Sequence, residues 1–328
     1  MDLSHELEVA LAAVRAAATV CRGVQADLVH AATLEKKDKS PVTVADFASQ
    51  SLVCATLADG SAVRAVVGEE SAADLREGGA AKQRDKVIEH VRRVRGAGVT
   101  PEQALGWIDL GGVDPASTDG RYWTLDPIDG TKGFLRGEQY AIALALLVDG
   151  EVVLGVLGCP NLEGADGTPG ILLSAIRGKG ALVRPLFASG AAAPVRVSDV
   201  ARAAAARFCE SVESGHSDQE QSALIAQQLG ITTPPLRMDS QAKYAGIARG
   251  DASIYLRLPT RKDYREKIWD HAAGAIVVEE AGGIVTDVTG KPLDFSRGRQ
   301  LEENRGVVAT NGRFHDEVLA AVADHVTV

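Results

Sequence analysis

The segment Trp123 to Phe134 reads WTLDPIDGTKGF and holds residue types that could do chemistry together. Asp126 and Asp129 stand three positions apart around Pro127, with Gly130 and Thr131 directly behind them. If a strand from Tyr122 to Leu125 ends at Asp126, Pro127 turns the chain there, because it has no N–H to extend a ladder and its φ is fixed. Both carboxylates and the Thr131 hydroxyl then converge on one point. Like charges a few ångströms apart repel strongly, so such a pair calls for a cation. Hard oxygen donors suit Mg²⁺ better than zinc. The same residue types also build an ordinary solvated turn, and spacing alone does not separate the two readings.

Other acids fall at the ends of expected elements: Asp46 at a helix start, Glu69 and Glu70 after a short strand, and Asp270 early in an apolar helix. Taken singly, Asp46 and Asp270 fit helix N-termini equally well, where a carboxylate complements the dipole. Gathered at one place, these acids would form a metal cluster with a catalytic purpose.

The elements that must position them follow from periodicity and breakers. Leu3, Leu7, Leu11, Val14, Ala18 and Cys21 recur every three or four positions, which predicts an amphipathic helix over 1–30. Lys36 to Asp46, with Ser40-Pro41, predicts a turn, and a helix follows from Asp46 through Leu57. Val63 to Val67 predicts a buried strand, and 72–106 an exposed, mostly helical insert. Tyr140 to Val148 and Val152 to Leu157 predict a hairpin on Asp149-Gly150, with more strands over 171–175 and 180–184. A Gly/Ala-rich crossing divides the chain into an α+β half, 1–188, and an α/β half, 189–328. In the second half, strands over 206–210, 234–238 and 252–257 alternate with helices over 217–229, 240–249 and 268–280. Gly282-Gly283 caps the last of these. A hairpin around Thr289-Gly290 and a helix over 313–325 close the chain.

With 328 residues, 45% hydrophobic and 24% charged, the composition is that of a globular protein. A net charge of −9 and a pI of about 5.4 argue against a nucleic-acid polymer or an anionic membrane as partner. They leave an anionic substrate open, because bound metal inverts the local field. Cys21, Cys54, Cys159 and Cys209 lie far apart, which disfavours a zinc site or a disulfide framework and points to a reducing compartment. No apolar run approaches the roughly 18–20 residues of a membrane span. Glu6 and Glu8 make the first helix neither a signal nor a transit peptide. The sequence as it stands reads as cytoplasmic, and as organellar (plastid or mitochondrial) if a presequence has been removed.

Gly68-Glu69-Glu70-Ser71, Asp126-Pro-Ile-Asp129-Gly-Thr131, Trp269-Asp270-His271 and Glu280-Ala-Gly-Gly283, in this order, resemble the signatures of the Mg²⁺-dependent, Li⁺-sensitive phosphatases typified by inositol monophosphatase. Within that superfamily the chain is similar to the 3′(2′),5′-bisphosphate nucleotidases of eukaryotic type. Lys39 to Asp46 resembles that group's first metal-site segment. Lys132-Gly-Phe134 stands where inositol monophosphatases usually carry Thr/Val-Asn-Phe, and Asp239 to Tyr244 and Tyr255 to Pro259 resemble nucleotide-site segments. The long gap from Glu69 to Asp126 also fits that group.

The resemblance implies a layered αβαβα sandwich, with a metal-binding first half, a substrate-binding second half and the site between them. It assigns Glu69, Asp126, the Ile128 carbonyl, Asp129 and Asp270 to two or three Mg²⁺ ions. Glu70 is the neighbouring alternative to Glu69, and the family register favours Glu69. Asp46 and Thr131 match the pair that orients and deprotonates the attacking water. Gly130, Thr131, His216, Ser240, Lys243, Arg257 and Asp270 match substrate contacts, and cations beside a hydroxyl suit a ligand that keeps a second phosphate. Without the family, Lys243 fits a solvated face and His216 a loop cap equally well.

The implied activity removes the 3′-phosphate of adenosine 3′,5′-bisphosphate, with 3′-phosphoadenylyl sulfate as a further substrate. The alternatives are an inositol (poly)phosphate phosphatase of the same superfamily and a nucleotide sensor without turnover. The expected partner is a small-molecule nucleotide, with no nucleic-acid polymer, no membrane and no obligatory protein partner.

Overall fold

The computed structural model describes residues 1–31, 40–212, 219–259, 261 and 263–326. The chain opens with α1 (Ser4–Ala31) and α2 (Ser40–Gly60). The turn expected over 36–46 lies partly outside the described residues, and from Ser40 onward it is already helix. Pro41 falls in the first turn of α2, where a missing N–H leaves no helical bond unmade. Asp46 therefore sits inside the helix rather than at its start. The strand expected over 63–67 is β1 (Val66–Gly68).

The insert holds α3 (Ala73–Arg76), α4 (Ala81–Arg95) and α5 (Pro101–Asp109). It is less exposed than its charge suggests. Val87, Ile88 and Val91 of α4 and Ala104, Leu105 and Ile108 of α5 are buried in the same core as α2. A capping box starts α5: Gln103 N donates to Thr100 Oγ1 at 3.2 Å, and Thr100 N donates to Gln103 Oε1 at 2.9 Å.

β2 (Arg121–Asp129), α6 (Thr131–Arg136), β3 (Ala141–Val148), β4 (Glu151–Glu163), β5 (Pro169–Ile176), β6 (Gly180–Pro185) and β7 (Ala193–Val195) follow. The β3–β4 turn has positive φ at both Asp149 (52°) and Gly150 (82°), the type I′ geometry that matches strand twist. β1 to β7 form one sheet in sequence order, with β1 and β2 parallel and every other pair antiparallel. This sheet runs on to Val195, past residue 188, where the sequence reading divides the chain.

The remaining elements are β8 (Phe208–Glu210), α7 (Gln219–Gln228), β9 (Leu236–Arg237), α8 (Ala242–Ala248), β10 (Ile254–Arg257), α9 (Ala272–Glu280), β11 (Ile284–Thr286), β12 (Val307–Thr310) and α10 (His315–His325). They give a five-stranded sheet in the order β11-β12-β10-β8-β9. The hairpin expected at Thr289-Gly290 is different in kind. A turn is present, with Asp287 N donating to the Lys291 carbonyl at 2.8 Å, but β11 pairs with β12, beyond a long loop. The Asp287 carboxylate accepts from Thr289 N and Lys291 N and satisfies the turn in place of a partner strand.

Alternation along single strands sets the layers. β3 turns Ile142, Leu144 and Leu146 toward α1 and α2, and Ala143, Ala145 and Leu147 toward α8 and α9. In the second sheet Tyr255, Val307 and Ala309 face the same middle helices, while Ile254, Leu256 and Val308 face α7 and α10. Two sheets are thus buried on both faces between three helical layers, an αβαβα sandwich. A Cβ on Gly155 would stand 2.4 Å from Ile276 Cγ2, so α9 lies directly on β4 where no side chain intervenes. All four cysteines are buried and unpaired. Among the described residues no helix is long and apolar enough to cross a membrane.

Candidate active site

Strand ends gather the acids. Parallel pairing puts Gly68 opposite Leu125, so Glu69 and Asp126 follow on neighbouring strands. The strand expected to end at Asp126 instead runs through Pro127 to Asp129, and its ladder with β3 breaks between the two aspartates. That break is what accommodates a proline in the strand. Ile128 N donates to Asp126 Oδ1 at 3.1 Å, and Ser49 of α2 donates to the Pro127 carbonyl at 2.9 Å.

Gly130 follows with φ of 91°, a left-handed conformation natural to glycine, and Thr131 starts α6. The segment across from it comes from the second half of the chain. Ser240 itself has φ of 68°, and a Cβ on Gly130 would lie 2.8 Å from Ser240 Cβ. Gln241 N donates to Asp129 Oδ2 at 2.5 Å. The Asp239 carboxylate accepts from Val212 N at 3.2 Å and pairs with Arg136 at the end of α6. Gln241 also donates from its side chain to the Trp269 carbonyl at 2.8 Å and accepts from Gly274 N at 3.0 Å. This ties the segment to the short 3₁₀ turn Ile268–Asp270 that precedes α9. Asp270 thus lies ahead of α9 rather than within it.

From the opposite side, α2 contributes buried Asp46 and, one turn later, fully buried Gln50. Gln50 accepts from Glu70 N at 3.0 Å and donates to the Glu70 and Ile108 carbonyls at 2.7 and 2.8 Å.

One cavity of about 630 Å³ collects these groups. Of the sequence-predicted residues, Asp46, Glu69, Asp126, Ile128, Asp129, Gly130, Thr131, Ser240, Lys243, Arg257 and Asp270 all line it. His216 lies outside the described residues. Glu70, Lys132, Tyr255 and Tyr264 line the cavity as well.

The electrostatics are those of crowded anions. Burial raises the Asp46, Glu69, Asp126 and Asp270 carboxyls above their ordinary range, and the neighbouring carboxylates raise them further. Burial and Glu69 bring Glu70 up to about 7. Asp129 is raised by burial, with Lys243 opposing, and Lys243 is lowered by burial, with Asp129 opposing. Such a cluster of oxygen donors fits hard divalent cations, which would relieve the repulsion. Among the described residues, the group that brings three ligand atoms within 4.8 Å of one another is Glu266, Asp270 and His271. Both Glu266 oxygens are already engaged, however: Oε1 accepts from Arg257 Nε and Oε2 faces His271 Nε2, each at 3.2 Å. The opposing partners bring Glu266, which burial would raise, down to about 2. Sequence reasoning missed Glu266, since an acid between Arg265 and Lys267 looks like part of a charged surface.

The model of the Inositol monophosphatase family matches residues 2–327. The chain is 47% identical over 319 residues to the 3′(2′),5′-bisphosphate nucleotidase of Emericella nidulans, covering 88% of this chain and 90% of that one. It is 46% identical to the enzyme of the same name from Oryza sativa, covering 98% and 94% of the two chains. Among solved structures, inositol monophosphatase from Anabaena superposes with a TM-score of 0.63 at 20% identity, covering 100% of this chain and 98% of that one, a likeness of fold.

Proposed function

The chain belongs to the inositol monophosphatase family, and we propose that it removes the 3′-phosphate from adenosine 3′,5′-bisphosphate, giving AMP and phosphate. It is a phosphatase, a hydrolase of phosphoric monoesters. One observation carries the substrate reading: a single cavity is lined both by a cluster of carboxylates and by the cations Lys243 and Arg257. A substrate with two phosphates meets both. Lys132, directly after Thr131, adds a third cation.

In this reading Glu69, Asp126, the Ile128 carbonyl, Asp129 and Asp270 hold two or three Mg²⁺ ions. When bound, Mg²⁺ neutralises the phosphate oxygens and makes water a better nucleophile. The protein's own part is positioning and proton transfer. The Thr131 hydroxyl takes a proton from the attacking water while passing its own to Asp46, whose burial keeps it a ready acceptor. Gly130 lets the chain approach the scissile phosphate closely. Arg257 offers its planar fork to the phosphate that stays, and Lys243 adds a point charge beside it. Ser240 and, by the family resemblance alone, His216 would complete the substrate contacts, and Asp270 would serve both the metal and the substrate.

The proposal extends to 3′-phosphoadenylyl sulfate, which carries the same 3′-phosphate, as a second substrate. In the proposed division, a metal-binding half, 1–188, supplies Asp46, Glu69, Asp126 and Asp129, and a substrate-binding half, 189–328, supplies Lys243 and Arg257, while Asp270 reaches the acids from the second half and Lys132 comes from the first. Four buried thiols support a reducing compartment such as the cytoplasm.

The test compares phosphate release from adenosine 3′,5′-bisphosphate and from inositol monophosphate at equal Mg²⁺. The bisphosphate is expected to react with the higher kcat/KM, and inhibition by Li⁺ is expected. Preference for inositol monophosphate would overturn the assignment.

A further inference from the structure

Arg257 does not lie loose in the cavity. Its Nε donates to Glu266 Oε1 at 3.2 Å. The other Glu266 oxygen lies 3.2 Å from His271 Nε2, and His271 Nδ1 lies 2.7 Å from the Tyr244 hydroxyl. Every member behind Arg257 is buried: Glu266 is 5% exposed, His271 2% and Tyr244 1%. Tyr244 packs edge-on against Tyr255 at 5.1 Å, and Lys243 Nζ lies 5.2 Å from the Tyr255 ring centroid. The same bracket therefore backs both cations.

We propose that Glu266, held by His271 and Tyr244, is a positioning residue that aims the Arg257 guanidinium and thereby sets the preference for substrates carrying a second phosphate. This rests on the reading above, in which Arg257 meets the phosphate that is not cleaved. A guanidinium has five N–H donors in a rigid fork. Glu266 takes the one on Nε, so the plane is fixed while the terminal nitrogens serve the ligand. An arginine aimed in advance gives up less rotamer freedom when an anion binds. Glu266 has no oxygen left over, which separates it from the metal-facing carboxylates.

The experiment measures kcat and KM at saturating Mg²⁺ on two substrates, adenosine 3′,5′-bisphosphate and adenosine 3′-monophosphate, which lacks the second phosphate. The proteins are wild type, Glu266→Gln, Tyr244→Phe, Arg257→Ala and the Glu266→Gln/Arg257→Ala double variant. Glu266→Gln is expected to raise KM for the bisphosphate about tenfold, with kcat changed less than about twofold, as for a lost ground-state contact. The KM for the monophosphate is expected to stay put. Tyr244→Phe should move the same ratio in the same direction by less, and it carries the test if Glu266→Gln does not fold. In the Arg257→Ala background, Glu266→Gln should add nothing.

Equal losses on both substrates, a loss confined to kcat, or additive effects in the double variant would overturn the proposal and make Glu266 a structural or metal-side residue. If Arg257→Ala itself leaves the preference for the bisphosphate intact, the reading of Arg257 falls and Glu266 falls with it. If Arg257→Ala removes that preference while Glu266→Gln does not, only the role of Glu266 is refuted.

Discussion

Replacing Gly130 by alanine perturbs the point where the two halves of the chain meet. The backbone there has φ of 91°, and the new Cβ would stand 2.8 Å from Ser240 Cβ and 3.4 Å from both the Gln139 carbonyl oxygen and Ser240 N. The left-handed conformation costs a residue with a Cβ about 1–2 kcal/mol. Crowding of this kind adds roughly 1–3 kcal/mol. A total loss of about 2–5 kcal/mol is therefore expected, read as a lower midpoint in urea. Ser240 cannot give way by changing rotamer, because the clash is at its Cβ and its own φ is already 68°. Its backbone must move instead, and a displacement of about 1 Å at a reacting site costs on the order of 100-fold in rate. Gly167→Ala is the control, since Gly167 has φ of 76° with nothing within 4 Å of a built Cβ. It should lose only the conformational part, about 1–2 kcal/mol, and keep its kcat. A Gly130→Ala protein that matches the Gly167→Ala protein in both midpoint and kcat/KM would refute the claim that Gly130 and Ser240 are held together by close approach.

Stability should depend on pH in a way that Mg²⁺ removes. The cluster carboxyls bind protons more tightly in the folded protein than in the unfolded chain, so the metal-free protein should lose stability as pH rises from about 4, the ordinary carboxylate range, to about 7, where Glu70 titrates. Thermal melts from pH 5 to 8 in EDTA should slope downward and flatten with Mg²⁺, and identical slopes would contradict an acidic metal site. Gln50→Leu should cost about 2–4 kcal/mol by leaving the Glu70 N–H and the Glu70 and Ile108 carbonyls without that partner. Denaturant melts measure this loss, and a midpoint unchanged from wild type would show that Gln50 does not brace the Glu70 loop. Thr131→Val keeps the shape and removes the hydroxyl. Steady-state kcat should fall about 10²- to 10⁴-fold, as for loss of a proton-transfer group, and an undiminished kcat would remove Thr131 from the proton path.

Much of the architecture was legible because it rests on local rules. The Asp149-Gly150 hairpin with its flanking apolar strands and the αβ alternation after residue 206 each follow from chemistry within a few positions. The carboxylates of the cavity were legible as a set only through the motif resemblance, since nothing local brings Asp46, Asp126 and Asp270 together. What sequence reading missed depends on contacts between distant residues. Pro127 stays in its strand because the β2–β3 ladder breaks beside it. The turn at Thr289-Gly290 carries local turn chemistry, but the partner strand is chosen by the sheet. The bonds from Gln241 to Asp129 and from Arg136 to Asp239 each span more than a hundred residues, and no periodicity announces them. Glu266 sits between two basic residues in sequence, yet it is buried against Arg257 and His271, which sequence spacing does not reveal.

The most direct measurement identifies the nucleotide left after turnover. Adenosine 3′,5′-bisphosphate is incubated with the protein, with Mg²⁺ and with EDTA in its place, and the product is resolved by chromatography against both adenosine monophosphates. The expected result is adenosine 5′-monophosphate with one equivalent of phosphate, formed only with Mg²⁺. Formation of adenosine 3′-monophosphate, or the same phosphate release in EDTA, would contradict the assignment of the carboxylates to the metal and of Lys243 and Arg257 to the phosphate that remains.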